Sequence, residues 1–470
     1  MSHKPSPGIL AMGVAVPRLR VAGSEYPQAW GHYAARGVEE KAVPAFDEDA
    51  VTLAAEAALK AVEASGIDPA EIGLVAFATS GADPGAAVVA EVVGARFARL
   101  LDVTGRMTAG LAALVAGFDS SEAVRNHTLV VAADVPRAAP GDAAEHPEGA
   151  GAAAFLIGPG GHVALHAAGA AAKHEPADRV MDGRGFFRSP EVGADRDALL
   201  AQASSTIPAQ AVRPDFVLRF PGDLAVPGPD GKPLEGVRAQ PDLRKRMGEA
   251  GAAQPLLLLA QALNDAAPGT EGLLVGATAS TAQVLRLGVL RKPQGTGDVL
   301  GALAVAPKRI SLLRAMQERG HFAFETGIPE EPMGAYVSLP AFAETLPARL
   351  RLLADRCAGC GSLQYPPRPA CAECGGREFA PERLSGRGTV YACTIIGRGG
   401  APSEFALQQA LTGEYGVAVV ELAEGPRVAA QIADLDPAAL KIGAPLQAVV
   451  RRLYRQQGVT RYGVKFRVLA

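Results

Sequence analysis

Four of the five cysteines in this chain are spaced Cys357-x-x-Cys360, ten residues, then Cys371-x-x-Cys374. No other feature narrows the local fold so far. Each CxxC is a tight knuckle that sets two thiolates side by side, and Gly361 and Gly375 directly after them permit the backbone turn. Two facing knuckles complete a tetrahedral sulfur set with no position left for water. Cys357, Cys360, Cys371 and Cys374 are therefore expected to bind one structural, non-catalytic zinc ion. A single tight cluster is not the pattern of a secreted disulfide framework. The fifth, Cys393, lies in an apolar run with Tyr391 and Ile395 and reads as a buried small hydrophobe.

At 470 residues the chain is long enough for two or three domains, and 48% hydrophobic with 20% charged residues suits large globular cores. A net charge of −3 excludes a strongly basic nucleic-acid binder. The charge is unevenly spread: from Arg383 to Ala470 there are 11 Lys+Arg against 6 Asp+Glu, a balance of +5, which leaves −8 before Arg383. A basic C-terminal module on an acidic body points to a local anionic ligand. No apolar run approaches the ~20 residues of a membrane span; the longest, Leu256 to Leu263, reads as a core helix. Ile9 to Val16 leads into Arg18 and Arg20 rather than a small-residue cleavage site, so a cytoplasmic protein without membrane or nucleic-acid partners is expected.

To about residue 310 the pattern alternates between helix and strand. Asp47 or Asp49 can cap a helix through Val51, Leu53, Ala54, Ala58 and Val62 that Gly66 closes, and Leu74 to Thr79 is a short buried strand. Helices are expected at Val88 to Leu101 and Thr108 to Phe118, with strands at Thr128 to Asp134, Ala152 to Gly158 and His162 to Ala168. A second round follows: strand near Phe216 to Phe220, helix near Pro255 to Asn264, strand at Gly272 to Gly276. Two rounds hint at duplicated halves of a mixed α/β sheet, without a clean sequence repeat. Leu290 to Gly301 reads as linker, Ile310 to Arg319 as helix, and the Pro-rich stretch from Ile328 to Pro347 as a wrap or tether. Beyond the cysteines, Thr389 to Gly397 and Glu414 to Leu422 read as strands of a small closed barrel. In the last strand Tyr462, Val464, Phe466 and Val468 alternate with Arg461, Lys465 and Arg467, predicting one apolar and one basic face.

The cysteine knuckles, together with Tyr365-Pro366-Pro367-Arg368-Pro369 between them, resemble the rubredoxin-like zinc ribbon that precedes an OB-fold in acyl-CoA-associated accessory proteins. Gly388-Thr389-Val390-Tyr391, Val419 to Arg427 and Lys441-Ile442-Gly443-Ala444-Pro445 agree, so the resemblance spans roughly residues 340 to 470. It implies a module that binds acyl-CoA or bridges a thiolase to a neighbouring enzyme. Arg398, Arg427, Arg461, Lys465 and Arg467 are its candidate CoA-phosphate contacts, since Arg and Lys make charge-assisted hydrogen bonds to phosphate.

The large N-terminal region is similar to the thiolase superfamily, nearest to hydroxymethylglutaryl-CoA synthase. Val16 to Arg20, Glu40-Lys41-Ala42-Val43, Asp47 to Thr52, Leu129 to Asp134, and Glu145 followed by Gly149 to Ala154 carry that similarity. The resemblances together imply an α/β thiolase-like layered fold with duplicated halves, followed by a zinc ribbon and a small all-β OB-fold barrel. The expected divisions are 1–300, a helical and Pro-rich linker 301–350, ribbon 351–382 and barrel 383–470. The family's reaction needs a cysteine thiolate at a helix N-terminus to take the acyl group. Here Asp102 to Gly110 places Met107 at that position, and a thioether cannot ionise or carry an acyl group. The family's catalytic glutamate falls near Thr79, its histidine near Arg219 and its asparagine near Glu249. Ser80, Ser120 and Ser280 have no histidine placed beside them by the sequence. His127 and His146 read as loop or strand-edge residues, and Gly158 to Gly161 as a strand turn rather than a phosphate loop.

Three functions are compatible with these signals. The first is a non-catalytic subunit, homodimeric through its thiolase-like domain. It binds CoA thioester and docks with a thiolase-like or aldolase partner in a hetero-oligomer. The second is an active C-acyltransferase or carbon–carbon lyase that uses non-standard residues, such as Cys393 or a thiol on its partner. The third is an acyl-CoA or polyketide-related binding module outside any thiolase complex.

Overall fold

The structure, a computed structural model, describes residues 6–469 except 105–106, 125, 174–179, 182–186, 189–195, 207–213, 225, 227–236, 279, 322–338, 398, 435 and 457. The chain divides into two compact units, Met1–Pro44 with Asp49–Leu312, and Ala45–Glu48 with Leu313–Ala470.

The first unit is built on one mixed sheet. Its elements in chain order are β1 (Pro7–Ala15), α1 (Ala50–Ser65), β2 (Ile72–Ala78), β3 (Arg99–Val103), α2 (Ala109–Val124), β4 (His127–Asp134) and β5 (Gly151–Pro159). They continue as β6 (Val163–Ala172), α3 (Arg196–Ser205), β7 (Phe216–Phe220), α4 (Gln254–Asn264), β8 (Glu271–Ala277) and β9 (Thr281–Val289). The strand order β7-β8-β9-β6-β1-β5-β4-β2-β3 holds two equivalent halves. In one, β2 runs parallel to β4, and β5 and β1 follow antiparallel. In the other, β7 runs parallel to β8, and β9 and β6 follow antiparallel. The helices obey the same rule, since α1 and α2 fall where α3 and α4 fall in the second round. The halves meet where β1 pairs with β6 at Gly8 and Ile9. The duplication hinted at by the sequence is thus a duplication of topology.

Asp49, not Asp47, caps α1: its carboxylate accepts the Thr52 N–H at 2.9 Å, and Thr52 Oγ1 accepts the Asp49 N–H in return. The alanine-rich face of α1 lies so close to β1 that a Cβ on Gly13 would sit 2.4 Å from the Ala57 carbonyl. Helix α4 is buried throughout from Gln254 to Leu263, as expected of a helix inside a layered domain. The single helix expected from Val88 to Leu101 is two elements. Gly94, at φ +92°, ends a helix at Ala86–Val93, and β3 then adds to the sheet edge, parallel to β2. The expected linker 290–301 belongs to the first unit, with Gln294–Gly295 pairing with β1 and a helix at Val299–Ala304 capped by Asp298.

The second unit begins, among the elements that matter here, with α5 (Leu339–Arg351), so the part of the expected tether from 339 onward is helical. Residues 328–338 of that stretch lie outside the described residues. Pro347 removes one N–H from α5, but buried Ala348 and Leu350 and the Tyr365 hydroxyl on the Ala348 carbonyl at 3.0 Å hold the helix in place. The ribbon strands β10 (Leu353–Cys357), β11 (Leu363–Gln364) and β12 (Phe379–Arg383) follow. Next come β13 (Arg387–Ile396), α6 (Ala406–Thr412), β14 (Tyr415–Leu422), β15 (Arg427–Ala433), β16 (Pro445–Gln456) and β17 (Val459–Val468). These five strands close a barrel in the order β13-β14-β15-β17-β16, with β15 and β17 parallel. Its core includes Val390, Val420, Ile432, Leu446 and Phe466, with Leu352 and Ala354 of the ribbon packed into the same cluster. A bulge at Tyr391 breaks the alternation of β13, so Tyr391 and Ile395 are exposed and Cys393 is half-buried. No helix among the described residues is long and apolar enough to cross a membrane.

Candidate functional site

The two cysteine knuckles are near copies of one another. In each, the glycine after the second cysteine donates its N–H to the carbonyl of the first, Gly361 to Cys357 and Gly375 to Cys371, both at 2.9 Å. Both glycines are left-handed, at φ +74° and +75°, a conformation that a side chain would strain. The first cysteine of each knuckle in turn donates to the carbonyl five residues on, Cys357 to Ser362 and Cys371 to Gly376. The four Sγ atoms lie within 4.8 Å of one another, and Cys357–Cys374 and Cys360–Cys371 stand 3.6 Å apart. Zinc–sulfur bonds of about 2.3 Å in a tetrahedron require sulfurs about 3.8 Å apart, whereas a disulfide would bring them to about 2 Å. The set fits zinc. Cys357 and Cys371 are buried beneath it, and Cys360 and Cys374 face solvent.

Of the four positions expected to correspond to a thiolase-type site, Glu249 lies in the segment 249–254, Thr79 is linked to it through Asp134, and Arg219 shares a cavity with it. Met107 is half-buried in the turn that precedes α2. The first turn of α2 lies directly against that segment, since a Cβ on Gly110 would meet the Ala252 carbonyl at 2.2 Å. Thr79 is fully buried after β2, with Oγ1 3.4 Å from Asp134 Oδ1. Asp134 is the hub that sequence reasoning did not single out: its Oδ2 accepts the N–H of Ser80 at 3.0 Å and of Ala252 at 2.9 Å. Its only forewarning was an acid closing an otherwise apolar strand. Glu249 receives Arg244 Nε at 2.5 Å. Arg219 lies on β7, with its N–H donated to Gln240 Oε1 at 2.8 Å.

Arg219 and Glu249 share a cavity of about 550 Å³, with Val217, Phe220 and Leu258 as apolar wall and Gln240 and Gln254 as polar lining. Of the other groups considered, Ser80 is tied to Asp134 through its N–H, and Ser120 accepts from Arg99 at 3.0 Å. His127 opens β4 beside Glu71. His146 lies in a turn, as a loop residue, yet it is fully buried against Tyr26, and Nδ1 accepts the Ala34 N–H at 2.9 Å. Burial lowers its pKa. Lys41 and Glu145, far apart in the sequence, form a buried ion pair at 2.7 Å.

The basic face expected on β17 is not open to solvent. Lys465 is 1% exposed, with Nζ 2.8 Å from Asp47 Oδ2, and Arg467 Nε lies 2.6 Å from Asp434 Oδ2. Arg451, fully buried on β16, reaches Glu48 at 2.8 Å, Asp434 at 3.2 Å and Asp47 at 3.8 Å. Three cations and three carboxylates thus form one network inside the second unit. The segment Ala45–Glu48 is held there further by the Arg452 N–H on the Asp47 carbonyl at 2.9 Å and by the Arg452 side chain on the Phe46 carbonyl. Burial alone would raise the Asp47 carboxyl, but Lys465 and Arg451 outweigh it and hold it below its ordinary value. Burial also lowers Lys465. Glu48 is pushed up to about 7 by burial, against the opposing pull of Arg451. Of the remaining phosphate candidates, Arg427 is exposed, paired with Glu421 at 2.7 Å and stacked on Tyr391 at 3.6 Å. Arg461 is half-buried, and Arg398 lies outside the described residues.

Residues 345–380 match the family of ChsH2 rubredoxin-like zinc ribbon domains, and residues 381–451 match the ChsH2 C-terminal OB-fold domains. A DUF35 domain-containing scaffold protein of Methanocaldococcus jannaschii is 37% identical over 122 residues, 25% of this chain and 82% of that protein. The hydroxymethylglutaryl-CoA synthases of Archaeoglobus fulgidus and Methanothermobacter thermautotrophicus are 37% and 39% identical over 164 residues, or 32% of this chain. The chain spans only 47% of the length of each synthase. Among solved structures, MvaS in complex with 3-hydroxy-3-methylglutaryl coenzyme A aligns with a TM-score of 0.56 at 22% identity, covering 70% of this chain and 95% of that one. An HMG-CoA synthase complexed with CoA aligns at 0.55 and 16% identity, covering 71% and 96%. At such identities the likeness establishes the fold: a thiolase-like α/β body, followed here by a zinc ribbon and an OB-fold domain.

Proposed function

We propose that this chain, which belongs to the family of DUF35 domain-containing scaffold proteins, is a non-catalytic subunit that binds CoA thioester and docks with a thiolase-like or aldolase partner. One observation carries the reading: every cysteine lies at position 357 or beyond, so a thiolase-like body of some 300 residues contains no thiol. Acyl transfer on this fold proceeds through a thioester on a cysteine, and Met107 cannot form one. The companion positions support the same conclusion. Thr79 is engaged with Asp134, Glu249 with Arg244, and Arg219 is a permanent cation rather than a proton carrier.

In this reading the partner supplies the nucleophile and the acid–base groups. The body, homodimeric and cytoplasmic, supplies docking surface. The ribbon and barrel hold the CoA thioester, and a single chain keeps both at high effective concentration. The zinc, when bound, supplies structural cross-linking of the ribbon. The test is acyl trapping. The purified chain incubated with radiolabelled acetyl-CoA acquires no covalent label, whereas the complex isolated from the native host acquires it on the partner. Label on the isolated chain at any residue before Cys357 overturns the proposal and favours an acyltransferase with unusual residues.

A further inference from the structure

The cavity beside β7 presents donors with nothing to bind. Gln254 is 3% exposed, and its Oε1 accepts the Ala250 N–H at 2.9 Å. Gln240 Oε1 accepts the Arg219 N–H at 2.8 Å. A carboxamide whose oxygen is held by a backbone donor presents its NH2 on the other side. Among the described residues neither Nε2 has a hydrogen-bond partner, and Arg219 Nε is buried without one. Two acids share the cavity: Glu249 is paired with Arg244, and Asp242 accepts the Lys245 N–H at 3.3 Å. The same cavity is lined by Val217, Phe220 and Leu258, in a volume of about 550 Å³. Of these donors Arg219 Nε is the buried one, and leaving a buried donor unsatisfied is costly, so the site is suited to a ligand that accepts hydrogen bonds.

We infer that this cavity binds a small carboxylic acid with a short aliphatic chain, the carboxylate on the Arg219 guanidinium and the Gln240 and Gln254 carboxamides, the chain against Val217, Phe220 and Leu258. A planar carboxylate matches the fork of a guanidinium. The apolar wall rewards a carbon chain that inorganic phosphate lacks. The inference stands on the cavity alone and is independent of whether the chain binds CoA or docks with a partner.

The full-length, zinc-loaded protein is titrated with butyrate, with butyramide as its neutral counterpart and with inorganic phosphate, by calorimetry and saturation-transfer NMR. Butyrate binds at least about tenfold more tightly than butyramide, the factor expected for a hydrogen bond to a charged group. Phosphate does not displace it at equal concentration. Arg219→Gln, with its fold checked by circular dichroism, weakens butyrate by about tenfold or more and leaves butyramide unchanged; Arg219→Lys retains part of the preference. If the Gln variant does not fold, the acid-to-amide ratio on the unaltered protein and the Lys variant decide. Absence of butyrate binding, equal affinity for acid and amide, displacement by phosphate at equal concentration, or an Arg219→Gln protein that keeps its preference for the acid would each overturn the inference.

Discussion

Replacing Lys465 by methionine isolates the energetics of the buried charge network in the barrel. Methionine fills the path of the lysine stem, so the change removes the ammonium while leaving no large void. Asp47, buried with its partner at 2.8 Å, then remains as a stranded carboxylate. Breaking one member of a buried pair costs about 3–5 kcal/mol. Arg451 at 3.8 Å from Asp47 compensates in part, which places the cost at the lower end, ~3 kcal/mol. That corresponds to a roughly 100-fold larger opening constant. A chain of two units need not unfold in one step, so the readout is local: amide hydrogen exchange in the full-length protein over β16 and β17. Those amides should exchange about 100-fold faster in Lys465→Met. Adding Asp47→Asn removes the stranded charge and should restore most of the protection. Exchange within about threefold of the parent protein for the single variant, or a double variant as fast as the single, would refute the reasoning.

Three further outcomes are expected. Stripping zinc with a chelator, or replacing Cys371 by serine, should unfold the ribbon, because structural zinc contributes on the order of 10 kcal/mol to folds this small; unchanged resistance of residues 353–383 to protease would contradict this. Glu48, raised by burial to about 7, retains a proton in the folded state that the unfolded chain has already lost above its ordinary value of 4.5. The stability of the barrel should therefore fall as pH rises from about 5 to about 7, by on the order of 3 kcal/mol at most. Glu48→Gln should flatten that decline in denaturant titrations across the same range, and an identical slope in both proteins would count against it. Gly13→Ala should destabilise the first unit by roughly 2–4 kcal/mol, because the new Cβ meets the backbone of α1 rather than a movable side chain; a melting temperature within a degree of the parent would show that α1 shifts freely.

Much of the fold was legible because its signals are local. The ribbon follows from four thiols whose ligand spacing is written in eighteen consecutive residues, and the cap of α1 from an acid three residues before a threonine. The helix expected across Val88 to Leu101 overran because apolar content continued past Gly94, although that glycine was itself the stop signal. The duplicated halves are recorded in strand order, not in residue identity, so no sequence repeat could confirm them. The role of Asp134 was not legible, because it matters only where strand ends and the 251–253 turn meet around it. Likewise Gln240 and Gln254 are ordinary polar residues until folding fixes one end of each amide. The basic face of β17 misled for the opposite reason. Alternation correctly sorted its side chains, but the acid that neutralises Lys465 stands 418 residues away.

The tetrapeptide Ala45–Glu48 makes the barrel a poor candidate for excision. A fragment beginning anywhere after residue 48 would carry Arg451, Lys465 and Arg467 with Asp434 as their sole remaining counter-ion from the network. Two of those cations are fully or almost fully shielded from water, so the loss could not be made good by solvent. A free-standing version of this module would need different residues at 451 and 465, or acids recruited from another strand. The joining of the two parts in one polypeptide is therefore recorded in the chemistry of the barrel's own interior as well as in the continuity of the backbone.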